Sequence, residues 1–295
     1  MATLCLVPFL AATAFSLAAA PLNIADVPPD PVLLFHLDCD ALRQTYIGKY
    51  LLYEVSKPAL HSNLVAFESL LSFDYRSQLH GVTVYSEGLS AVDKVAIIYA
   101  DFVPDHVIAL VKSGNAPGQT TVNNRVVYHW STAGDPSPSY AIVRSNCMIT
   151  GKSEKYVAAA LSTDNEPSRK LSTGNDPFIQ ATAHNLDFLA SQSYAGLFKF
   201  AKWAKLQAVE TNEQLNAVLT VEAPDDYTAK QMSLVAQGMI AQLGLQKDHP
   251  QAASLATAFA VKQAGTTWTA TLSVASQDLI AAIKSYTPKK PKPEP

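Results

Sequence analysis

Apolar and polar positions along the chain switch between two periods. Residues 31–37 (PVLLFHL) form a continuous apolar run, the pattern of a buried strand. From Ala41 to about Phe73 the apolar positions recur at helical spacing. They fall at Leu42, Tyr46, Ile47, Tyr50 and Leu51, then at Leu60, Leu64, Phe67, Leu70 and Leu71. Pro58 splits or kinks that helix. Strand-like runs follow at 79–85 (LHGVTVY) and 94–102 (KVAIIYADF). Pro104-Asp105 then opens a short helix over 106–112, because proline suits a first helical turn and a carboxylate suits the positive end of the helix dipole. After the turn-rich SGNAPGQ, strands are predicted near 120–122, 126–130, 139–143 and 147–150, followed by a helix over 154–161 capped by Ser153. Residues 162–177 are polar, carry two prolines and read as a linker.

The second half repeats part of this order. A strand at 218–221 runs into Ala223-Pro224-Asp225-Asp226 and a helix to about Leu243. Residues 255–263 and 267–274 read as strands paired around Gln263-Ala264-Gly265, with a helix over 279–283 after Ser276-Gln277-Asp278. Pro104 and Pro224 are 120 residues apart, and Ser153 and Ser276 are 123 apart. Two landmarks at nearly equal offsets predict a duplicated unit. The expected fold is α+β: two similar modules, 21–165 and 166–287, each a mostly antiparallel sheet with helices packed on one face. Residues 194–206 (YAGLFKFAKWAKL) read as an amphipathic helix with Lys199, Lys202 and Lys205 in three-residue steps, lying on the sheet or on a membrane surface.

The chain ends change the picture. No charged side chain precedes Asp26, residues 4–17 are an apolar run, and Ala18-Ala19-Ala20 offers a small-residue cleavage site. That order predicts a signal peptide over 1–20, although its first residues carry no Lys or Arg. The run is too short for a span and is interrupted by Pro8. The expected location is secreted or periplasmic. Residues 288–295 (PKKPKPEP) read as a disordered, extended Pro/Lys tail. Of the 295 residues, 48% are hydrophobic and 16% charged, which excludes a solvating disordered chain. With 22 basic against 25 acidic residues, no electrostatic footprint favours nucleic acid. No later stretch is long and apolar enough for a transmembrane span in the mature chain.

The sharpest chemical candidate is His36-Leu37-Asp38-Cys39-Asp40. On a continued strand His36, Asp38 and Asp40 would share one face, and an imidazole with two carboxylates can ligate zinc, manganese or iron. The competing reading makes Asp40 the N-cap of the following helix, with Asp38 serving the same helix start or pairing with Arg43. Cys39 and Cys147 are a possible disulfide in an exported chain, or two buried thiols. His36 and Cys39, three positions apart on a strand, would face opposite ways, which disfavours a Cys–His nucleophile. Gly151-Lys152-Ser153 resembles the end of a phosphate loop without its glycine-rich start, so Ser153 is read as a helix cap. No nucleophile elbow, zinc-protease motif or dinucleotide loop occurs, so no catalytic residue and no cofactor is predicted. Tyr128, Trp130 and Tyr140, with Phe198, Phe200, Trp203 and Trp268, are core or seam residues, or else a strip for stacking sugar rings.

The segment VPPDPVLLFHLDCDALRQTYIGKYL, with the later LHGVTVYSEG, VVYHW and CMITGKSEKYVAAAL, resembles secreted bacterial proteins of unassigned function. The resemblance spans most of the mature chain and implies an exported α+β protein, with no catalytic residues to carry over. The leading functional expectation is an exported non-catalytic binding or assembly protein of the cell envelope, its partner an envelope protein or ligand. The alternatives are a hydrolase or metal-dependent enzyme using His36, Asp38 and Asp40, and a lipid- or membrane-surface-associated carrier. A lined cavity of about 300–1,000 Å³ would favour a ligand carrier.

Overall fold

The computed structural model describes residues 21–57, 73–88, 90–160, 176–184, 200–246 and 250–286, together with 65, 68, 186 and 198. The expected signal peptide, most of the 162–177 linker and the Pro/Lys tail lie outside these residues, as do Leu60, Leu64, Phe67, Leu70 and Leu71.

The strands are β1 (Leu33–Asp38), β2 (Leu79–Ser86), β3 (Lys94–Ala100), β4 (Asn115–Val122), β5 (Arg125–Thr132), β6 (Asp135–Val143) and β7 (Cys147–Gly151). They continue with β8 (Ile179–His184), β9 (Trp203–Thr211), β10 (Gln214–Glu222), β11 (Phe259–Ala264) and β12 (Thr267–Ala275). The helices are α1 (Cys39–Gln44), α2 (Tyr46–Val55), α3 (Tyr75–Gln78), α4 (Pro104–Lys112), α5 (Glu154–Ala159), α6 (Asp226–Gly244), α7 (Pro250–Leu255) and α8 (Ser276–Tyr286). The expected α+β class is what forms.

The strands make one 12-stranded sheet in the order β11-β12-β10-β9-β8-β1-β2-β3-β7-β6-β5-β4. Each pairing is antiparallel. The β1–β8 pair, Leu33 opposite Ala183 through Leu37 opposite Ile179, joins the two halves of the chain. Moving outward from it, β1, β2, β3 and β7 on one side correspond in order to β8, β9, β10 and β12 on the other. A helix follows β3 and β10, and another follows β7 and β12.

Side-chain alternation divides the core between the two faces. On β3 and β7, Val95, Ile97, Cys147 and Ile149 pack with Val157 and Ala158 of α5. Their alternates Ile98 and Met148 pack with Val107 of α4 on the opposite face. That second face continues across the sheet. Val221 and Trp268 meet Ala229 and Met232 of α6, and Leu215 and Val274 meet Ile280 of α8. Phe198 leans on Trp268, with ring centroids 6.4 Å apart, so these two aromatics serve the core.

The hairpin turns follow from residues that tolerate positive φ. Asn123 and Asn124 close β4–β5 with φ of 50° and 59°, and Asn212 and Glu213 close β9–β10 with φ of 53° and 59°. These are the paired left-handed positions of a tight turn matched to strand twist.

Two expectations need correction. The helix predicted over 194–206 does not form at its C-terminal end. Trp203–Leu206 open β9, opposite residues 219–222 of β10 and 181–184 of β8. Pairing on both sides satisfies the backbone here and outweighs the helical spacing of the lysines. The strand predicted from Leu255 begins only at Phe259, because Leu255 ends α7 and Ala256–Ala258 form a 3-10 turn.

Candidate functional site

His36, Asp38 and Asp40 do not converge. The strand ends at Asp38 and α1 begins at Cys39, so the alternation that would align Asp40 with the other two stops. Each residue has its own surroundings. His36, wholly buried, has Nδ1 2.8 Å from Thr83 Oγ1. Asp38, not Asp40, is the N-cap: its Oδ1 accepts from the Ala41 N–H at 2.8 Å. Asp40 binds Arg43 and lies 2.9 Å from His80 Nδ1 through its other oxygen. Among the described residues no group of three His, Cys, Asp or Glu is placed to hold a metal ion.

Burial pushes the Asp38 carboxyl above its ordinary pKa, against the pull of its backbone hydrogen bond. Nor does the possible disulfide form. Cys39 starts α1 beneath one face of the sheet, while Cys147 packs in the core of the other face. Burial pushes the Cys39 thiol up to about 12, so it stays protonated and is a poor nucleophile.

The phosphate-loop resemblance at Gly151-Lys152-Ser153 dissolves as well. Lys152 donates to Asp135 at 2.7 Å. Ser153 stands at the N-cap of α5 without a side-chain cap bond. Gly151 is required for close packing, since a Cβ there would sit 2.8 Å from the Lys94 carbonyl oxygen. Tyr128 and Trp130 alternate with His129 on β5, and His129 faces Tyr140 across the β5–β6 pair. The three aromatics therefore divide between two faces and make no single strip.

What the fold does assemble is an apolar pocket of about 500 Å³ on the face shared by α1, α2 and α4. Its helical wall comes from Leu42, Leu51, Leu52 and Val55. Its floor is Val82 of β2, Ile98 of β3 and Met148 of β7, and Phe73 and Phe102 stack at one side with centroids 5.7 Å apart. Among the described residues of the lining, Arg43 alone is charged. Its guanidinium is held away from the apolar space by Asp40 and by the Leu79 carbonyl.

A polar chain, buried at Asp40 and His80 and reaching the surface at Asp101, borders this pocket. Arg43 pairs with Asp40, Asp40 with His80, and His80 Nε2 lies 3.1 Å from Asp101 Oδ2. The hydrogen bond that His80 donates to Asp40 raises the His80 pKa, opposed by desolvation and helped by Asp101. These charges fix α1 to β2 and to the chain that leaves β3.

The corner between α1 and α2 is satisfied by the same economy. Thr45 Oγ1 donates to the Leu42 carbonyl at 2.6 Å and accepts from the Gly48 N–H at 2.8 Å. The Tyr46 and Ile47 N–H groups donate to Glu210 of β9. The otherwise unpaired donors of the α2 N-terminus are thereby matched.

Arg43, His80, Asp101 and Glu210 carried no sequence signal as a set. They lie far apart in the chain, in runs that read simply as strands or helix, and only the pairing of β9, β8, β1, β2 and β3 gathers them.

No family model matches the chain. No curated protein matches it either. One solved structure shares the fold at a TM-score of 0.50. It is crystal form III of TP0453, at 8% identity over 90% of this chain and 98% of that one. Crystal form I gives 0.46 at 8% identity over 92% and 100%, and crystal form IV gives 0.47 at 10% over 89% and 96%. At such identity the likeness concerns the fold alone. No helix among the described residues is long and apolar enough to cross a membrane.

Proposed function

We propose that the protein is an exported, non-catalytic binding protein of the cell envelope that holds a hydrocarbon chain in the pocket beneath α1 and α2. The observation that carries this reading is the pocket itself. Its volume of about 500 Å³ lies within the ~300–1,000 Å³ usual for small-molecule sites. Apart from Arg43, paired with Asp40, and the hydroxyl of Tyr75, the described side chains lining the space offer carbon and sulfur.

Export is supported by the apolar N-terminal run ending in Ala18-Ala19-Ala20. The matching strand and helix order on either side of the β1–β8 pair supports origin by duplication of one α+β module. On that reading the first copy became the binding half, with α1 and α2 inserted between β1 and β2.

The test is titration of the mature chain with a fluorescent fatty acid, beside the pocket-filling variant Leu52→Trp. Saturable binding at one site per chain, lost in the variant while its circular dichroism spectrum is kept, is the expected result. Absence of binding, or equal binding by both proteins, overturns the proposal.

A further inference from the structure

A second pocket of about 440 Å³ lies on the same face of the sheet. Its walls are Val107, Leu110 and Val111 of α4 and Trp130 of β5, with Thr132 and Thr150 beside them. Trp130 is seated there by Gly114, where a Cβ would come within 2.9 Å of the indole.

Three observations connect the two pockets. Met148 lines both. Ile98 and Met148 are cross-strand partners on β3 and β7, so floor and partition belong to one continuous surface. Finally, Phe73, Phe102 and Leu79 beside the first pocket and Val107 and Leu110 beside the second belong to a single apolar cluster with Met148.

The partition is the side chain best suited to yield. Methionine is unbranched, with three rotatable bonds and a polarisable thioether, and it adapts to irregular space. Trp130, Phe102 or Val107 in its place would be stiffer.

We infer that the two pockets form one bipartite site for a single unbranched acyl chain, and that Met148 sets the chain length the site accepts. The inference rests on the proposed binding of a hydrocarbon chain. It adds that a short chain occupies the first pocket alone, whereas a long chain displaces Met148 and runs on beneath α4. Ser113, Thr132 and Thr150 line the second pocket, so it tolerates a polar group better than the first does.

The experiment measures displacement of a fluorescent fatty acid by octanoate and by octadecanoate, for the mature protein and for Met148→Trp. Each methylene buried raises affinity roughly fourfold, the equivalent of ~0.8 kcal/mol. The mature protein therefore favours octadecanoate steeply. Met148→Trp is expected to bind octanoate within about twofold of the parent protein, while losing most of the octadecanoate advantage. Leu110→Trp, which fills the second pocket from α4 and leaves Met148 in place, is expected to give the same pattern should the first variant fold poorly. A lysophospholipid with the octadecanoyl chain, run in parallel, distinguishes a lipid headgroup from a free carboxylate, and either source requires the same length pattern. Unchanged octadecanoate binding in both variants, or equal loss for the two acids, overturns the inference and leaves the first pocket standing. Failure of the parent protein to bind either acid overturns the binding reading itself.

Discussion

Glu210, on β9, accepts the backbone N–H of Ile47 at 3.1 Å, and its other oxygen accepts the N–H of Tyr46 at 2.5 Å. A carboxylate 163 residues away in sequence thus occupies the N-terminus of α2, where the aligned peptide dipoles favour negative charge. Because α2 forms a wall of the pocket, this contact ties the binding half to the sheet of the other half. Glu210 is buried, so truncation leaves two donors unmatched. Glu210→Ala is expected to cost about 1–3 kcal/mol, read as a lower melting temperature. Hydrogen exchange should quicken first at Tyr46 and Ile47; exchange quickened only at the sheet edge would show that α2 is held by other contacts.

Two glycines should respond oppositely to the same change. Gly48 lies where α1 and α2 meet, and a Cβ there would fall 1.8 Å from the Leu42 carbonyl oxygen. Backbone has to move, so Gly48→Ala is expected to destabilise by about 1–3 kcal/mol. Gly238, in α6, has nothing within 4 Å of an added Cβ. There Gly238→Ala is expected to stabilise by about 0.5–1 kcal/mol, because alanine suits a helix interior and narrows the unfolded ensemble. Thermal melts of both variants check the pair of signs.

The Asp40–His80–Asp101 contacts make stability depend on pH. Folding raises the His80 pKa above its ordinary 6.5, chiefly through the bond to Asp40. The imidazolium therefore stabilises the folded chain fully below that value, and its contribution disappears as pH rises through the higher folded pKa. Melting temperature is expected to fall across that interval in the parent protein. In His80→Gln the fall should be absent, since glutamine keeps a donor without titrating. An identical pH profile in both proteins would place the dependence on another group.

Much of the fold was legible because its strands are short apolar runs closed by turn residues. Residues 31–37, 79–85 and 94–102 signal strands by composition, and Pro104-Asp105 and Pro224-Asp225 mark helix starts by mechanism. The failure at 194–206 has a physical cause. Lysines three apart suggest a helix, whereas Lys205 sits on a strand hydrogen-bonded on both sides, a fact that only β8 and β10 supply. The His36–Asp40 motif misled in a similar way. Its alternation holds to Asp38 and is broken by a helix that Asp38 itself caps. The pocket left no local trace, because its floor comes from alternate residues of three strands and its wall from helices at another place in the chain.

The most direct test of hydrocarbon binding uses the methionine methyl groups. The chain has four methionines, and Met148 borders the pockets while Met232 lies in the core under α6, with Met239 on the same helix. With methyl-labelled methionine, octadecanoate is expected to shift and broaden the Met148 resonance and to leave Met232 and Met239 in place. A titration in which Met148 stays fixed, or in which all three move together, would contradict a chain bound beneath α1 and α2.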